Sequence, residues 1–203
     1  DAATELRRRA QTGEPAVIAD APDPFVLRDG DVWYAYATSR RRSLLQLYRS
    51  VDLVSWAALP APLAEMPTWS TGEPQWLWAP AAARLDDGTY RLFYVAKERT
   101  RRAQCIGVAV ASAPTGPFVD RNAEPLVCQR DLGGSIDPSV FTDTDGTRYL
   151  LWKNDGNCCN LATALWSAPL TADGAALAAT PVRILQADRA WEGGLGENPA
   201  MTH

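Results

Sequence analysis

The feature that most constrains the fold is a unit of 58 residues that recurs along the chain. Each unit contains an Asp-Gly pair followed by a run of aromatic and aliphatic residues. The glycines of these pairs are Gly30, Gly88 and Gly146, so the two intervals are equal. Equal intervals are typical of repeat architectures, in which each unit packs against its neighbours.

Each Asp-Gly pair predicts a tight hairpin between the first two strands of its unit. Asp-Gly supplies the positive φ angles of such a turn, and the flanking residues are rich in β-branched and aromatic side chains. A proline opens the first strand of each unit, a position at which no donor to the sheet is lost. These prolines are Pro24, Pro80 and Pro138.

Two further strands are expected after each hairpin. The third strands lie in the segments 45–50, 106–112 and 162–167. Weaker fourth strands are expected near Trp56, Phe118 and Leu177. Four antiparallel strands per unit form a β-propeller blade, whereas helical repeats would show apolar residues at intervals of about 3.6.

The sequence therefore predicts an all-β propeller over residues 17–203, with three blades and the first strand of a fourth. Residues 1–16 are predicted to be a leader outside the blades, with a short helix at Thr4–Gln11. Propellers close into rings of about four to eight blades. We expect the remaining blades to be absent from this chain or to come from a complementary chain.

Acidic residues stand at equivalent places in the repeat. Asp23 and Asp137 directly precede the prolines of blades 1 and 3, and Glu197 stands two residues before Pro199. The corresponding residue of blade 2 is Ala79. Because the first strand of each blade lines the central channel, these carboxylates are expected to meet at one mouth of it.

Carboxylates gathered in one small space suit the hydrolysis of a glycosidic bond. One carboxylic acid protonates the leaving oxygen, and a carboxylate on the opposite face activates water, so that the anomeric centre is inverted. A third carboxylate raises the pKa of its neighbour by like-charge repulsion. Turn formation is the alternative for any single aspartate, but it does not explain three acids at matching positions.

Together these motifs resemble glycoside hydrolase family 43. The resemblance rests on Asp23-Pro24, Trp78-Ala79-Pro80, Ser135-Ile136-Asp137-Pro138, Glu197-Asn198-Pro199 and the segment Ser50–Trp56. It implies a five-bladed propeller that hydrolyses arabinofuranosides or xylosides with inversion.

The resemblance also implies a role for each acid. Asp23 would be the general base, Asp137 would orient the acid and tune its pKa, and Glu197 would be the general acid. Glu192 is a rival for the last role, but it does not lie on the repeat. The family motif has glycine where this chain has Asn198, a departure that weakens the assignment of Glu197.

Four other residues are predicted to bind substrate. Trp78 and Trp191 flank the starts of blades 2 and 4, and an aromatic ring can pack on the apolar face of a sugar. Asn154 and Asp155 follow the second strand of blade 3, where polar groups can bind hydroxyls. Packing within the blades is the alternative for the tryptophans, and a solvated loop is the alternative for Asn154 and Asp155.

The cysteines are predicted to pair, with one disulfide between the adjacent Cys158 and Cys159 and the other between Cys105 and Cys128. Paired cysteines and a first residue other than methionine indicate a secreted protein. Free thiols in a reducing compartment are the alternative.

Charge and motif content limit the partners. A formal net charge of -4 argues against nucleic acid and anionic membranes. No apolar run approaches the roughly 20 residues of a membrane span. The single histidine, His203, cannot build a metal site alone. No cofactor is required from this chain, and nothing in the sequence supports a structural cation in the channel.

The favoured activity is that of an α-L-arabinofuranosidase acting on plant-type polysaccharides or oligosaccharides, with β-xylosidase second. A retaining fructosidase is more distant, because such enzymes carry arginine before the second acidic motif and this chain has Ile136. A propeller that binds glycans without cleaving them is the remaining alternative, and it would not need three acids at repeat-equivalent positions.

Overall fold

The structure, a computed structural model, describes Thr4, Glu5, Arg8 and residues 20–40 and 43–203. Within these residues eleven strands form three antiparallel sheets, one for each repeat unit. The propeller blades predicted from the repeat are thereby confirmed.

The strands follow one another in sheet order. The first sheet contains β1 (Phe25–Asp29), β2 (Val32–Ala37), β3 (Gln46–Ser50) and β4 (Ala57–Leu59). The second contains β5 (Trp78–Arg84), β6 (Tyr90–Lys97) and β7 (Gln104–Ala111). The third contains β8 (Ser135–Thr142), β9 (Arg148–Asn154), β10 (Ala164–Pro169) and β11 (Val182–Gln186). Short 3₁₀ turns lie at Pro74–Trp76, Arg130–Leu132, Gly156–Cys159 and Ala190–Glu192.

The hairpins lie where the Asp-Gly pairs predict them. Gly30, Gly88 and Gly146 have φ angles of 60°, 81° and 84°, a region that residues with a side chain rarely adopt. Each glycine lies between the first and second strands of its blade. The turn chemistry therefore sets the register of the two inner strands in all three blades.

The fourth strands agree less well with the sequence. Blade 1 has β4 directly after Trp56, as expected. In blade 3 the prediction near Leu177 is wrong by about five residues, because Leu177 forms only an isolated bridge with Leu170 and the strand begins at Val182. The turn around Gly174 lies between β10 and Leu177 and lengthens the connection between β10 and β11 in this blade.

Blade 2 has isolated bridges in place of a regular fourth strand. Val119 pairs with Val110, and Val127 pairs with Ile106. The segment between β7 and β8 contains prolines, which cannot donate to a sheet. They are Pro114, Pro117 and Pro125. The outer edge of this blade is therefore held by two separate bridges, each with a pair of backbone hydrogen bonds, in place of a continuous ladder.

The middle strand β6 shows why the sheets stack. Its side chains alternate between two buried clusters: Leu92 and Tyr94 pack toward blade 1, whereas Phe93 and Val95 pack toward blade 3. All four residues are fully buried. Each such side chain contributes about 1.5–3 kcal/mol to folding, so both faces of blade 2 depend on its neighbours.

The inner strands converge on one space. Strand β5 contacts both β1 and β8. Contrary to the prediction, β5 and β8 begin before their prolines, and the register shifts between Trp78 and Ala81 and between Ile136 and Ser139. The bulge places each proline where no ladder hydrogen bond is needed.

The structure describes only part of the segment before blade 1. Thr4, Glu5 and Arg8 have helical backbone, but the rest of the predicted helix at Thr4–Gln11 lies outside the described residues, so the leader stays a prediction. No helix in the described part of the chain is long and apolar enough to cross a membrane.

The segment after Glu197 runs beside blade 3. The ring of His203 lies 4.9 Å from that of Phe141 in β8, measured between centroids. The structure assigns no strand to residues 197–203. The segment stays beside β8 through the Asn198 N–H, which donates to Asp137, and the first strand of a fourth blade stays a prediction.

Candidate active site

Each blade starts on a residue with an uncommon backbone conformation. Asp23, Ala79, Asp137 and Asn198 have φ angles of 51°, 38°, 54° and 51°, and each directly precedes a proline. Positive φ is tolerated best by asparagine and aspartate among residues with a side chain. Three of the four positions carry one of these residues, so the local sequence suits the bend.

The bend brings the blade starts around one opening. A cavity of about 330 Å³ is lined by all four of these residues and the prolines that follow them. A second cavity of about 430 Å³ shares Asp23, Asp137 and Asn198 with the first. Its other lining residues are Thr38, Trp78, Ile136, Asp155, Asn157, Cys158 and Glu197.

The second cavity gathers most of the residues that the sequence singles out. The three predicted catalytic acids, Asp23, Asp137 and Glu197, all line it, although they belong to different repeat units. Trp78 and Asp155 line it as well. We name this space the acid cavity. A volume of this size is typical of small-ligand sites.

Asp23 is held by a neighbour that sequence reasoning missed. The Thr38 hydroxyl donates to Asp23 Oδ2 at 2.6 Å and accepts from the Ala79 N–H at 2.8 Å. Thr38 directly follows β2, so it comes from blade 1 and reaches the start of blade 2. A threonine after a strand carries no sequence signal for this role.

Asp137 lies at the bulge of β8, where the Asn198 N–H donates to its Oδ2 at 3.2 Å. Burial raises the pKa of Asp137, and the negative charges of Glu197 and Asp23 raise it further. The Asn198 N–H and the ammonium of Lys153 act in the opposite direction. The three acids are therefore close enough to influence one another's ionisation.

Glu197 is paired with a lysine that was not singled out from the sequence. Lys153 Nζ donates to Glu197 Oε1 at 2.9 Å and to Asn157 Oδ1 at 2.6 Å. Lys153 lies on β9, opposite Ile136 of β8, and its side chain is fully buried. A lysine at the end of a strand is usually exposed, so the sequence pattern does not predict this buried contact.

Asp155 adds another carboxylate to the acid cavity. It is 7% exposed, and burial raises its pKa. Lys153 lowers this pKa, whereas Asp137 and Glu197 raise it. The chain can approach so closely here because residue 133 is glycine: a Cβ at Gly133 would overlap the backbone oxygen of Asp155.

The arrangement can do acid and base chemistry on a neutral ligand. Carboxylates of Asp23, Asp137 and Glu197 stand around one space, and one ammonium partly offsets their charge. Neighbouring carboxylates in different environments can divide the roles of proton donor and proton acceptor. Among the described residues, no group of three or more His, Cys, Asp or Glu side chains could hold a metal ion.

Comparison with known sequences identifies the family. The sequence profile described as glycosyl hydrolases family 43 matches residues 12–203. The chain belongs to this family.

Curated relatives of this family 43 chain include sugar-cleaving enzymes. It is 37% identical over 116 residues to "Xylosidase/arabinosidase 43A" of Humicola insolens, covering 53% of this chain and 33% of that protein. It is 29% identical over 148 residues to "Extracellular exo-alpha-(1->5)-L-arabinofuranosidase ArbA" of Cellvibrio japonicus, covering 68% and 41% respectively. The chain thus spans less than half the length of these relatives.

A solved structure gives the same result for the fold. A thermostable family-43 glycoside hydrolase superposes with a TM-score of 0.72 at 27% sequence identity, covering 85% of this chain and 55% of that one. The described blades therefore correspond to a part of a family 43 propeller.

The family 43 chain does not bring Asn154 into the acid cavity. Its Nδ2 donates to Leu132 O and Ala162 O, both at 3.0 Å. Its Oδ1 accepts from Ala164 N at 2.8 Å and from Trp166 Nε1 at 3.2 Å. With 1% exposure and these four bonds, Asn154 fixes the loop that carries Asp155.

Trp191 and Glu192 also lie away from the acid cavity. Trp191 is 84% exposed and lies in the 3₁₀ turn Ala190–Glu192. Glu192 Oε2 accepts from the Arg189 N–H at 2.7 Å, which closes that turn. Of the two rival glutamates, the structure therefore places Glu197 among the acids and gives Glu192 a local capping contact.

Both disulfides are present as the sequence predicts. Cys105 is bonded to Cys128, which ties β7 to the segment before β8. Cys158 is bonded to Cys159, and Cys158 lines the acid cavity. The second disulfide therefore forms part of the wall that faces the predicted catalytic residues.

Proposed function

We propose that this family 43 chain carries the catalytic acids of an inverting glycoside hydrolase that removes α-L-arabinofuranosyl residues from plant-type polysaccharides or oligosaccharides. The observation that carries the proposal is the meeting of Asp23, Asp137 and Glu197 in one cavity of about 430 Å³. These residues are separated by more than 50 positions in sequence. The packing of the blades and the ion pair between Lys153 and Glu197 bring them together.

In this mechanism Asp23 is the general base. Its carboxylate is exposed to the cavity and oriented by the Thr38 hydroxyl, which occupies Oδ2. The remaining lone pairs accept a proton from a water molecule as the water attacks the anomeric carbon. The attack comes from the face opposite the leaving group, so the configuration inverts.

Glu197 is the general acid in the same step. It gives its proton to the glycosidic oxygen as the bond to the anomeric carbon breaks. Asp137 lies within electrostatic reach of both Asp23 and Glu197. Like-charge repulsion between such neighbouring carboxylates is how Asp137 would tune the general acid.

Two other residues of the acid cavity are proposed to hold the sugar. The Trp78 indole presents an apolar face to one side of the ring, and its Nε1 is already bonded to Gln75 O at 3.0 Å. No side-chain hydrogen bond of the Asp155 carboxylate is found among the described residues, so its oxygens are placed to accept from sugar hydroxyls. Of the two residues predicted with them, Asn154 has four hydrogen bonds that favour a structural role, and Trp191 lies outside the acid cavity.

β-Xylosidase activity is the second candidate. The observation that favours it is the relative from Humicola insolens, whose name includes both xylosidase and arabinosidase. L-Arabinofuranose and D-xylose are pentoses of similar size and polarity, so the acid cavity alone does not separate them. The closing blades would add further contacts to the sugar.

A panel of 4-nitrophenyl glycosides tests the substrate, with the complete protein as the enzyme. We expect the highest kcat/KM with the α-L-arabinofuranoside and a lower value with the β-D-xyloside. NMR of the first sugar released should show the inverted anomer. A retained anomer would establish the fructosidase-type mechanism, and glycan binding without turnover of any glycoside would establish a lectin.

A matched pair of glutamate variants tests the site. Glu197→Gln removes the transferable proton, so kcat on unactivated arabinosides should fall by about 10²- to 10⁴-fold. Glu192→Gln keeps the exposed turn and should retain parental kcat. The proposal fails if the two variants behave alike.

The remaining proposals concern the rest of the protein. The chain covers only 33% and 41% of its relatives, so we propose that the blades that close the ring lie outside these residues, in the remainder of the protein or in a complementary chain. We also propose secretion, which is supported by two disulfides and by a relative described as extracellular. Intact mass of the native protein from culture medium tests both.

A further inference from the structure

One cation lies buried among the carboxylates of the acid cavity. Lys153 has an exposed side-chain fraction of 0%. A buried ammonium without partners is strongly unfavourable, so its charge must be offset by contacts nearby. The contacts are Glu197 Oε1 at 2.9 Å and Asn157 Oδ1 at 2.6 Å.

The two residues of this ion pair differ in secondary structure and exposure. Lys153 lies in β9, which pairs with β8 on one side and β10 on the other. Glu197 lies in a segment without an assigned strand, and its side chain is 41% exposed. The lysine therefore belongs to the ordered sheet and the glutamate to the part that needs an anchor.

Lys153 also faces the other acids of the cavity. Its positive charge acts on Asp137 and Asp155, which approach it from β8 and from the loop after β9. Asp23 lies further along the same cavity and acts on Asp137. One ammonium thus stands among four carboxylates, and only Glu197 forms an ion pair with it in the described residues.

We propose that Lys153 is a positioning residue for the general acid: it holds the Glu197 carboxyl toward the leaving oxygen and stabilises the carboxylate that forms when the proton is transferred. This inference rests on the proposed glycosidase function. Glu197 loses its proton to the glycosidic oxygen while the glycosidic bond breaks, and water gives its own proton to Asp23 as it attacks. Negative charge therefore develops on Glu197 in the transition state, where a preorganised ammonium is most effective.

The dependence on the leaving group tests the inference. Lys153→Met in the complete protein should lower kcat/KM by about 10²-fold for methyl α-L-arabinofuranoside, whose leaving group requires protonation. The loss should be less than about fivefold for the 2,4-dinitrophenyl glycoside, which departs without an acid. Lys153→Arg keeps the charge and should recover part of the loss. An equal loss on both substrates would show a general structural effect and overturn the proposal.

A double variant keeps the test informative if Lys153→Met folds poorly. In Lys153→Met/Glu197→Gln the buried charge and its partner are removed together. If Lys153 acts through Glu197, the double variant should be no slower on the methyl glycoside than Glu197→Gln alone. Additive losses would overturn the inference. Absence of any glycosidase activity in the parent protein would instead refute the proposed function.

Discussion

Blades 1 and 2 begin on the same backbone conformation but offer different chemistry. Asp23 and Ala79 both have positive φ and both precede a proline. The Thr38 hydroxyl joins them, since it donates to the Asp23 carboxylate and accepts from the Ala79 N–H. The comparison teaches that the repeat fixes where a side chain is presented, whereas the identity of that side chain decides whether the position can transfer a proton.

The largest expected effect is on kcat, and it should differ between Asp23 and Ala79. Asp23→Asn should lower kcat on arabinosides by about 10²- to 10⁴-fold, because an amide cannot accept the proton of water. Ala79→Gly keeps the N–H that Thr38 accepts and suits positive φ better, so kcat should stay close to the parental value. Steady-state kinetics of both variants checks this, and similar losses would show that the bend itself is what matters.

The next effect compares the two tryptophans at the blade starts. Trp78 lines the acid cavity, whereas Trp191 is 84% exposed. Trp78→Ala should lower kcat/KM by about tenfold through lost packing on the sugar. Trp191→Ala should change it much less. A larger loss for Trp191→Ala, measured on the same substrate, would move the sugar site toward the start of blade 4.

A smaller effect is expected at the link between blades 1 and 2. Thr38→Val removes the hydroxyl but keeps the shape, which leaves the Ala79 N–H without its acceptor. The free energy of unfolding should fall by about 1–2 kcal/mol, and kcat should fall by about fivefold as Asp23 loses its orientation. Thr38→Ser keeps the hydroxyl and should preserve both quantities. Chemical denaturation and steady-state kinetics measure them. A Thr38→Val variant with parental stability and kcat would contradict the role assigned to Thr38.

The smallest effect concerns stability against pH. Burial raises the pKa of Asp137 above its usual value of 3.8, so the folded state binds the proton more tightly than the unfolded state. The ionised side chain therefore costs stability, and this cost grows as the pH rises above about 3.8. Asp137→Asn should therefore be more stable than the parent at neutral pH.

The pH series supplies its own control. The advantage of Asp137→Asn should shrink as the pH is lowered and disappear below about 3.8, where the parent carboxyl is protonated in both states. Thermal melting between pH 3 and pH 7 measures the difference. A constant difference across this range would mean that a contact other than ionisation is lost.

The sequence predicts the blades well because periodicity and turn chemistry act locally. The interval between Gly30, Gly88 and Gly146 is enough to predict three hairpins, and these predict which strands are inner strands. The convergence of Asp23 and Asp137 then follows from their equal positions in the repeat. The displaced fourth strand at Val182–Gln186 could not be found in this way, since the added turn interrupts the pattern.

The polar contacts of the site are harder to predict than its acids. Asn154 and Asp155 are neighbours in sequence, yet their side chains differ in their surroundings. The Asn154 amide makes four hydrogen bonds inside the blade, whereas Asp155 lines the acid cavity. Lys153, one residue earlier, is buried in β9 and bound to Glu197. Such partners depend on residues far away along the chain, which no local pattern contains.

The bend before each proline has a consequence for how enzymes of this shape diversify. Asp23, Ala79, Asp137 and Asn198 share one backbone conformation but have carboxylate, methyl and amide side chains. Exchange among such short side chains needs no rebuilding of the main chain. Single substitutions at these positions can therefore change the charge around the central channel, while the surrounding β-sheets stay as they are.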